Sequence, residues 1–312
     1  IRAPFITEAF NPSSSFFGFA EDPCDQFNQD EGPAPATRAA NCAADGIPAN
    51  FDATSDDASI LQAVVGNPNL RNEKSNAFTI GAVLRPSFIP RFSLSVDYVD
   101  IKVRDVITQL ASDDIVENCY DSADFPNSPF CELFTRDATN QLDFISTGYF
   151  NAAELRYKGI LAALDFRTAT PFLGADSNIG LNASYQYLDT LTSRADANSA
   201  IETDNGEVGY SRHQAVGTID YNNKGFSTFL QVNYTGPAKF DADATPTARN
   251  PNGVGSFVYF NTGMTYRIDK SFSVRFVVDN LFDRKPPFPS PTGGGTLTYF
   301  PGVLGRYFRV GA

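Results

Sequence analysis

The sequence predicts an all-β fold, a transmembrane antiparallel β-barrel, present as a partial barrel of about nine strands with short periplasmic turns and long extracellular loops. Three observations carry that expectation. Apolar and polar residues alternate with period two along paired stretches from Asn76 onward. The joints inside each pair are tight, near Ile89 to Arg91, Pro171 to Asp176, Asn222 to Lys224 and Asp269 to Ser271. Between pairs the connections run to roughly fifteen to thirty residues, against the two to six of compact antiparallel proteins. Third, every charge in the strand cores falls on one face of the alternation.

Residues 1–74 read mainly as an extracellular loop. Pro12, Pro23, Pro33, Pro35 and Pro48 break the stretch, and Asp22, Asp25, Asp30, Glu31, Asp56 and Asp57 make it acidic. It leaves room for one short helix around Ala58 to Val65. A structureless run of that length does not suit a compact soluble domain, but it is ordinary above a barrel.

Residues 75–312 carry the strands and their loops. Phe78, Ile80, Ala82 and Leu84 share a face, as do Phe92, Leu94, Val96 and Tyr98. Ile160, Ala162, Leu164 and Phe166 follow, then Ile179, Leu181, Ala183, Tyr185 and Tyr187. The pattern returns at Ala215, Gly217, Ile219 and Tyr221, and at Phe226, Thr228, Leu230, Val232 and Tyr234. It closes with Val258, Phe260, Met264, Tyr266 and Ile268, with Phe272, Val274, Phe276 and Val278, and with Phe308, Val310 and Ala312.

The opposite face holds Arg85, Asp97, Asp165, Asp220, Arg267, Arg275, Asp279 and Arg309. An arginine or lysine facing lipid costs about 2–4 kcal/mol at the bilayer midplane, so the segregation has a physical cause. A soluble β-sandwich would also alternate. The clustering of aromatics beside the tight turns (Phe88 and Phe92, Tyr221 and Phe226, Tyr266 and Phe272) favours the barrel, because it forms a girdle on one membrane surface. Two phase breaks, after Tyr98 and before Ile160, are expected to be register slips on the long-loop side, where a bulge is tolerated.

No apolar run approaches twenty residues, so no transmembrane helix is expected. The chain opens on Ile1 and its only methionine is Met264, which reads as a mature form or a fragment. A net charge of −12 argues against nucleic acid as a partner. The cysteines fall as two local pairs, Cys24 with Cys42 and Cys119 with Cys131, in loop-like stretches without zinc-ligand spacing. Two loop disulfides are the better reading and imply an oxidising compartment. There is no catalytic constellation, so an enzyme is not expected, nor a cofactor or metal. His213 sits on the lipid-facing phase, and the acidic runs at Asp52 to Asp57 and Ala111 to Asp114 read as solvated loop acids rather than calcium ligands.

The segment Val277 to Pro287, "VVDNLFDRKPP", and "LGRYFRVGA" from Leu304 resemble the closing strands of TonB-dependent outer-membrane receptors. The opening "IRAPFITEAF" is similar to the family's Arg-Ala-Pro followed by Glu-Leu-Phe, with Arg2, Ala3, Pro4 and Glu8 in place and Ala9 where the family has leucine. "DPC" at Asp22, "GAVLRP" at Gly81, "FSLSVDYVDIKV" at Phe92 and "NAAELRYKGI" at Asn151 add to the match, as do Asn280, Leu281, Phe282 and Asp283.

The resemblance implies a barrel of about twenty-two strands whose lumen is plugged, with this chain as its C-terminal part. The plug domain, the TonB box and the first barrel half would lie outside it. Open strand edges are not tolerated in hydrocarbon, so this piece is not expected to insert or transport alone. The implied function is energy-coupled uptake of a scarce ligand such as a siderophore, cobalamin or an oligosaccharide. Its partners would be outer-membrane lipid, the plug, the other barrel half and the TonB complex. A passive porin-like or adhesive outer-membrane barrel is the alternative. Arg2 and Glu8 are expected to brace a loop base, Asn280 to Pro287 to fix a strand end, and Arg85, Asp97, Arg275, Asp279 and Arg309 to face the lumen. Loop acidity disfavours a strongly anionic ligand.

Overall fold

The computed structural model describes residues 1–244, 251–285 and 304–312, and its described strands form one mostly antiparallel sheet. Four of them are β1 (Ser14–Gly18), β2 (Ile60–Val65), β5 (Phe134–Arg136) and β8 (Glu202–Thr203), short pieces on the long-loop side. The other nine make an antiparallel meander: β3 (Lys74–Leu84), β4 (Phe92–Gln109), β6 (Leu142–Ala169), β7 (Asn178–Arg194), β9 (His213–Asn223), β10 (Phe226–Thr235), β11 (Phe257–Arg267), β12 (Ser273–Asp279) and β13 (Tyr307–Gly311). Each pairs with the next, and the sheet is not closed. The nine-strand wall of a partial barrel read from the sequence is therefore the fold observed. The tight joints fall where expected; β9 and β10, for example, are linked by Lys224 and Gly225 alone.

Paired positions fix the two faces. Val96, Ala162, Tyr185, Ala215, Tyr234 and Val258 form one transverse row, which is apolar or aromatic throughout. One residue away, Ser95, Ala163, Ser184, Val216, Asn233 and Tyr259 form a row on the opposite face. The sheet's shallow hollow is lined from that second face, by Ser93, Ser95, Asp165, Asn182, Ser184 and Thr218, so the polar face is concave and the apolar face convex. Two threonines on the convex face bond backbone carbonyls of the sheet itself. Thr228 donates its hydroxyl to the Gly263 carbonyl at 2.9 Å and Thr262 donates to Phe229 at 2.7 Å.

Two glycines make room on the concave face. Gly81 opposes Asp97 and Gly180 opposes Asp220. A Cβ at either site would come within 2.0 or 2.3 Å of the facing carboxylate oxygen, so any side chain there would displace the acid.

The phase breaks have a different cause from the expected one. The β4–β6 register runs without a shift from Phe92↔Phe166 to Arg104↔Glu154. The alternation changes polarity rather than register. Beyond Tyr98 the convex face carries Asp100, Lys102 and Arg104, while the concave face carries Val99, Ile101 and Val103. Beyond Tyr98 the convex side is therefore charged and the concave side apolar. The one register shift among these long strands lies between β6 and β7, where Lys158 pairs with Thr190 and Gly159 with Leu188, leaving Asp189 as the extra residue.

Above this level the two segments flanking β3 and β4 fold into a lobe with its own core. Residues 1–74 are not plain loop: they hold α1 (Ile6–Phe10), β1, α2 (Pro35–Ala44) and β2. The helix allowed for at Ala58 to Val65 is instead β2, which pairs in parallel with β6 from Leu61↔Phe144 to Val65↔Gly148. A third helix, α3 (Ser112–Tyr120), starts where Asp114 accepts the Ala111 N–H at 3.0 Å, a capping interaction. The buried core comprises Cys24, Cys42, Ile47, Phe51, Ile60, Ile115, Val116, Tyr120, Leu142 and Ile145 among others. Disulfides Cys24–Cys42 and Cys119–Cys131 close loops over 18 and 12 residues within it.

Candidate functional site

The concave wall and the lobe above it carry the polar and charged side chains singled out in the sequence. On the wall, Arg309 pairs with Asp279 at 2.8 Å and Arg167 with Asp220 at 3.5 Å, joining charges across strands. Arg85 donates to the Ser93 hydroxyl at 3.2 Å. Asp97 lies in one shallow hollow with Gln186 and Gln214, and Arg275 in another with Asp220 and Thr265. Much of the rest is amide and hydroxyl: Asn233 and Asn261 both donate to Gln231, at 3.3 and 3.2 Å. These groups offer neutral hydrogen bonds in both directions, with sparse charges of both signs. Outside, Tyr185 and Tyr187 pack against His213, which bonds the Tyr185 hydroxyl at 2.8 Å through Nδ1. The histidine thus belongs to an aromatic belt on the convex face.

At the foot of the lobe Arg2 holds two acids. Its guanidinium reaches Glu8 at 2.9 Å and both Glu73 oxygens at 2.8 and 2.9 Å. Glu8 accepts the Phe5 N–H, and Glu73 accepts the Ile107 N–H of β4. Ala3 and Pro4 lead from this bracket into α1. Arg2 thereby ties the start of the loop to the top of β3 and β4, and it holds the Glu73 carboxyl below the usual carboxylate range. At the far end of the wall Asn280 is buried with φ 52° and hydrogen-bonds the backbone N–H and C=O of Arg284. Leu281 donates its N–H to the Phe260 carbonyl, Phe282 packs edge-on against Phe260 at 5.2 Å, and Asp283 accepts the Arg306 N–H. The segment anchors the end of β12; Pro286 and Pro287 of the same motif lie outside the described residues.

A family model, TonB dependent receptor-like, beta-barrel, matches residues 6–281. The chain belongs to the TonB-dependent receptor β-barrel family. Similar solved structures include a mutant ferric enterobactin receptor, PfeA, of Pseudomonas aeruginosa bound to enterobactin, at 16% identity and TM-score 0.46, covering 73% of this chain and 28% of that one. The siderophore receptor PirA of Acinetobacter baumannii follows at 14% identity and TM-score 0.45, with 77% and 31% covered. The copper transporter OprC has 15% identity and TM-score 0.43, with 71% and 27% covered. The chain thus spans about a third or less of the length of these proteins. No curated protein sequence matches it.

Within this receptor wall the lobe is held by charge pairs that sequence reading missed. Arg38, 1% exposed, makes two bonds to Asp121 at 2.8 and 2.7 Å, one to Glu117 at 3.2 Å and one to the Asn28 carbonyl at 3.1 Å. Arg136 grips Asp22 at 2.6 and 2.8 Å and donates to the Tyr120 hydroxyl at 2.9 Å; that hydroxyl donates to Asp45 at 2.6 Å. Partners 83 and 114 residues apart leave no local signal. The acidic runs serve structure as well: Asp113 accepts the Glu21 N–H and Asp114 caps α3. Among the described residues no group of three His, Cys, Asp or Glu is placed to hold a metal ion.

Burial pushes Glu117 up to about 8, against the pull of Arg38, and pushes Glu207 up to about 7, aided by Asp204, Asp241 and Asp243. Both folded values exceed the unfolded one, near 4.3. Their contribution to stability is therefore complete below that value and is lost as pH rises through about 7 to 8. Hydrogen exchange on the full-length receptor, corrected for intrinsic rates, is expected to show faster opening of 112–120 and 204–210 at pH 8.5 than at pH 6. Equal protection at both values would show that these acids do not couple to the fold.

Proposed function

We propose that this chain supplies barrel wall and surface loops to a bacterial outer-membrane receptor that imports a scarce ligand, such as a siderophore, cobalamin or an oligosaccharide. Uptake is driven through TonB acting on a plug domain in the lumen. The observation that carries this reading is the family match over residues 6–281. The two-faced wall supports it. An apolar convex side suits lipid, and a concave side of amides, hydroxyls and paired charges suits either a polar plug or a solute moving past it. The disulfide-closed lobe above the wall gives the ligand a built surface on the outer side.

Deleting the gene for the full-length receptor is expected to abolish growth on one member of a ligand panel as the limiting nutrient. Restoring the receptor in a strain lacking TonB should not rescue that growth. Uptake that persists without TonB, or after the proton gradient is collapsed, would instead establish a passive barrel.

A further inference from the structure

We propose that the contact between the disulfide-closed lobe and the β7–β9 connection is a proton-controlled latch, closed while Glu117 and Glu202 are protonated and parted once both ionise. The two segments meet across one small cavity. Glu117 and Asp121, at the end of α3, line it from the lobe; Ser193 and Arg194 of β7 and Glu202 of β8 line it from the other side. Neither glutamate is bonded across the gap. Glu117 takes Arg38 at 3.2 Å from within the lobe, and Arg38 gives its two shorter bonds to Asp121. Glu202 accepts the Ser193 hydroxyl at 3.4 Å, from its own side.

The surroundings are acidic from every element packed against this pair. Asp114 and Asp121 accompany Glu117 on the lobe side, and Asp204 and Glu207 accompany Glu202 in the β7–β9 connection. Behind them, Asp241 and Asp243 of the β10–β11 connection act on Glu207, and Asp243 on Asp204. The cations are fewer: Arg38, bonded to Asp121, Arg194 on the cavity wall, and Lys239 near Asp243. Glu207 accepts the Ala242 N–H at 2.7 Å and Asp243 accepts the Thr203 N–H at 3.0 Å, so the two connections are bound to each other. The gap lies between that pair and the lobe.

Carboxylates crowded in this way cannot all ionise without cost, so protons stay on those with the weakest hold on a cation. Burial, with Asp121 and Asp114 adding to it, pushes Glu117 up to about 8 against the pull of Arg38. Partial burial and the neighbouring Asp114 push Glu202 up to about 7. Once the segments part, both acids return towards the value of a free glutamate, near 4.3. The protonated pair therefore favours the closed contact in full at low pH, and that preference is lost as pH rises through about 7 to 8. Above that range two facing negative charges push the lobe and the connection apart.

The test is the distance between two nitroxide labels in the full-length receptor in vesicles, read by electron–electron double resonance. Ala36→Cys on α2 and Ala197→Cys in the β7–β9 connection span the gap at exposed sites, and the native cysteines are all bonded. Ala36→Cys with Thr139→Cys reports on the lobe alone. Across the gap a single short distance is expected at pH 6. Most of the population should shift to a longer one by pH 9, half of it between about 7 and 8. The pair within the lobe should not change. Glu117→Gln with Glu202→Gln, neutral like the protonated acids, should keep the short distance at pH 9. A distance constant from pH 6 to pH 9, or one that lengthens equally in the double variant, would overturn the latch. Lengthening within the lobe as well would mean that the lobe melts instead of parting, and would also overturn it. A gap that stays closed at pH 9 until EDTA is added would make a metal ion, not protons, the closing agent.

Discussion

Replacing Arg38 by methionine is expected to unfold the disulfide-closed lobe while the strands beneath it stay paired. Arg38 is 1% exposed and Asp121 is 5% exposed, and two parallel hydrogen bonds join them. Removing the guanidinium leaves a buried carboxylate without a counter-charge, which costs about 3–5 kcal/mol. That is a large share of the roughly 5–15 kcal/mol that holds a domain together. Limited proteolysis of the full-length receptor would show cleavage within 20–60 and 112–140, while the strand segments stay uncut. Adding Asp121→Leu to Arg38→Met should recover part of the loss, because no lone buried charge remains at the pair. A single variant as protease-resistant as wild type would mean that the disulfides and apolar core hold the lobe without this pair.

Arginine at position 230 is expected to damage folding into bilayers, and arginine at position 231 to be tolerated. Leu230 lies on the convex face of β10 between Ile219 and Thr262. Gln231, its neighbour, faces the concave side between Thr218 and Asn261. Leu230→Arg places a charge in hydrocarbon at about 2–4 kcal/mol. Gln231→Arg adds a charge to a surface already carrying Asp220 and Arg275. Urea titrations of the full-length receptor in phospholipid vesicles should separate the two by at least 2 kcal/mol. Equal losses would mean that lipid does not meet the convex face.

The nine strands and their two faces were legible because a lipid-facing wall enforces its pattern residue by residue. Val96, Ala162 and Tyr185 must be apolar wherever they fall in the chain, so period two survives without any knowledge of the partner strand. The lobe was illegible for the opposite reason. Above the membrane the selective pressure on the convex face reverses, and Asp100, Lys102 and Lys158 made continuous strands look interrupted. In α2, Pro35 at the first turn followed by an alanine-rich run was a helix signal, masked by the prolines around it. "ILQAVV" at Ile60 lacks clear periodicity of either kind, and its pairings with distant strands, antiparallel with β1 and parallel with β6 83 residues onward, make it a strand. Arg2 and Glu8 could be singled out by motif, but Glu73, the second acid that Arg2 holds, could not, since nothing near position 73 marks it.

The most direct measurement is collision accessibility of single spin labels along β10 in the full-length receptor reconstituted into vesicles. Labels would be placed by Thr228→Cys through Asn233→Cys in turn; the native cysteines are all bonded and do not compete. Oxygen, which concentrates in hydrocarbon, should collide most at 228, 230 and 232, with minima at 229, 231 and 233. A flat profile, or maxima at 231 and 233, would contradict the assignment of the uncharged face to lipid, and with it the membrane wall.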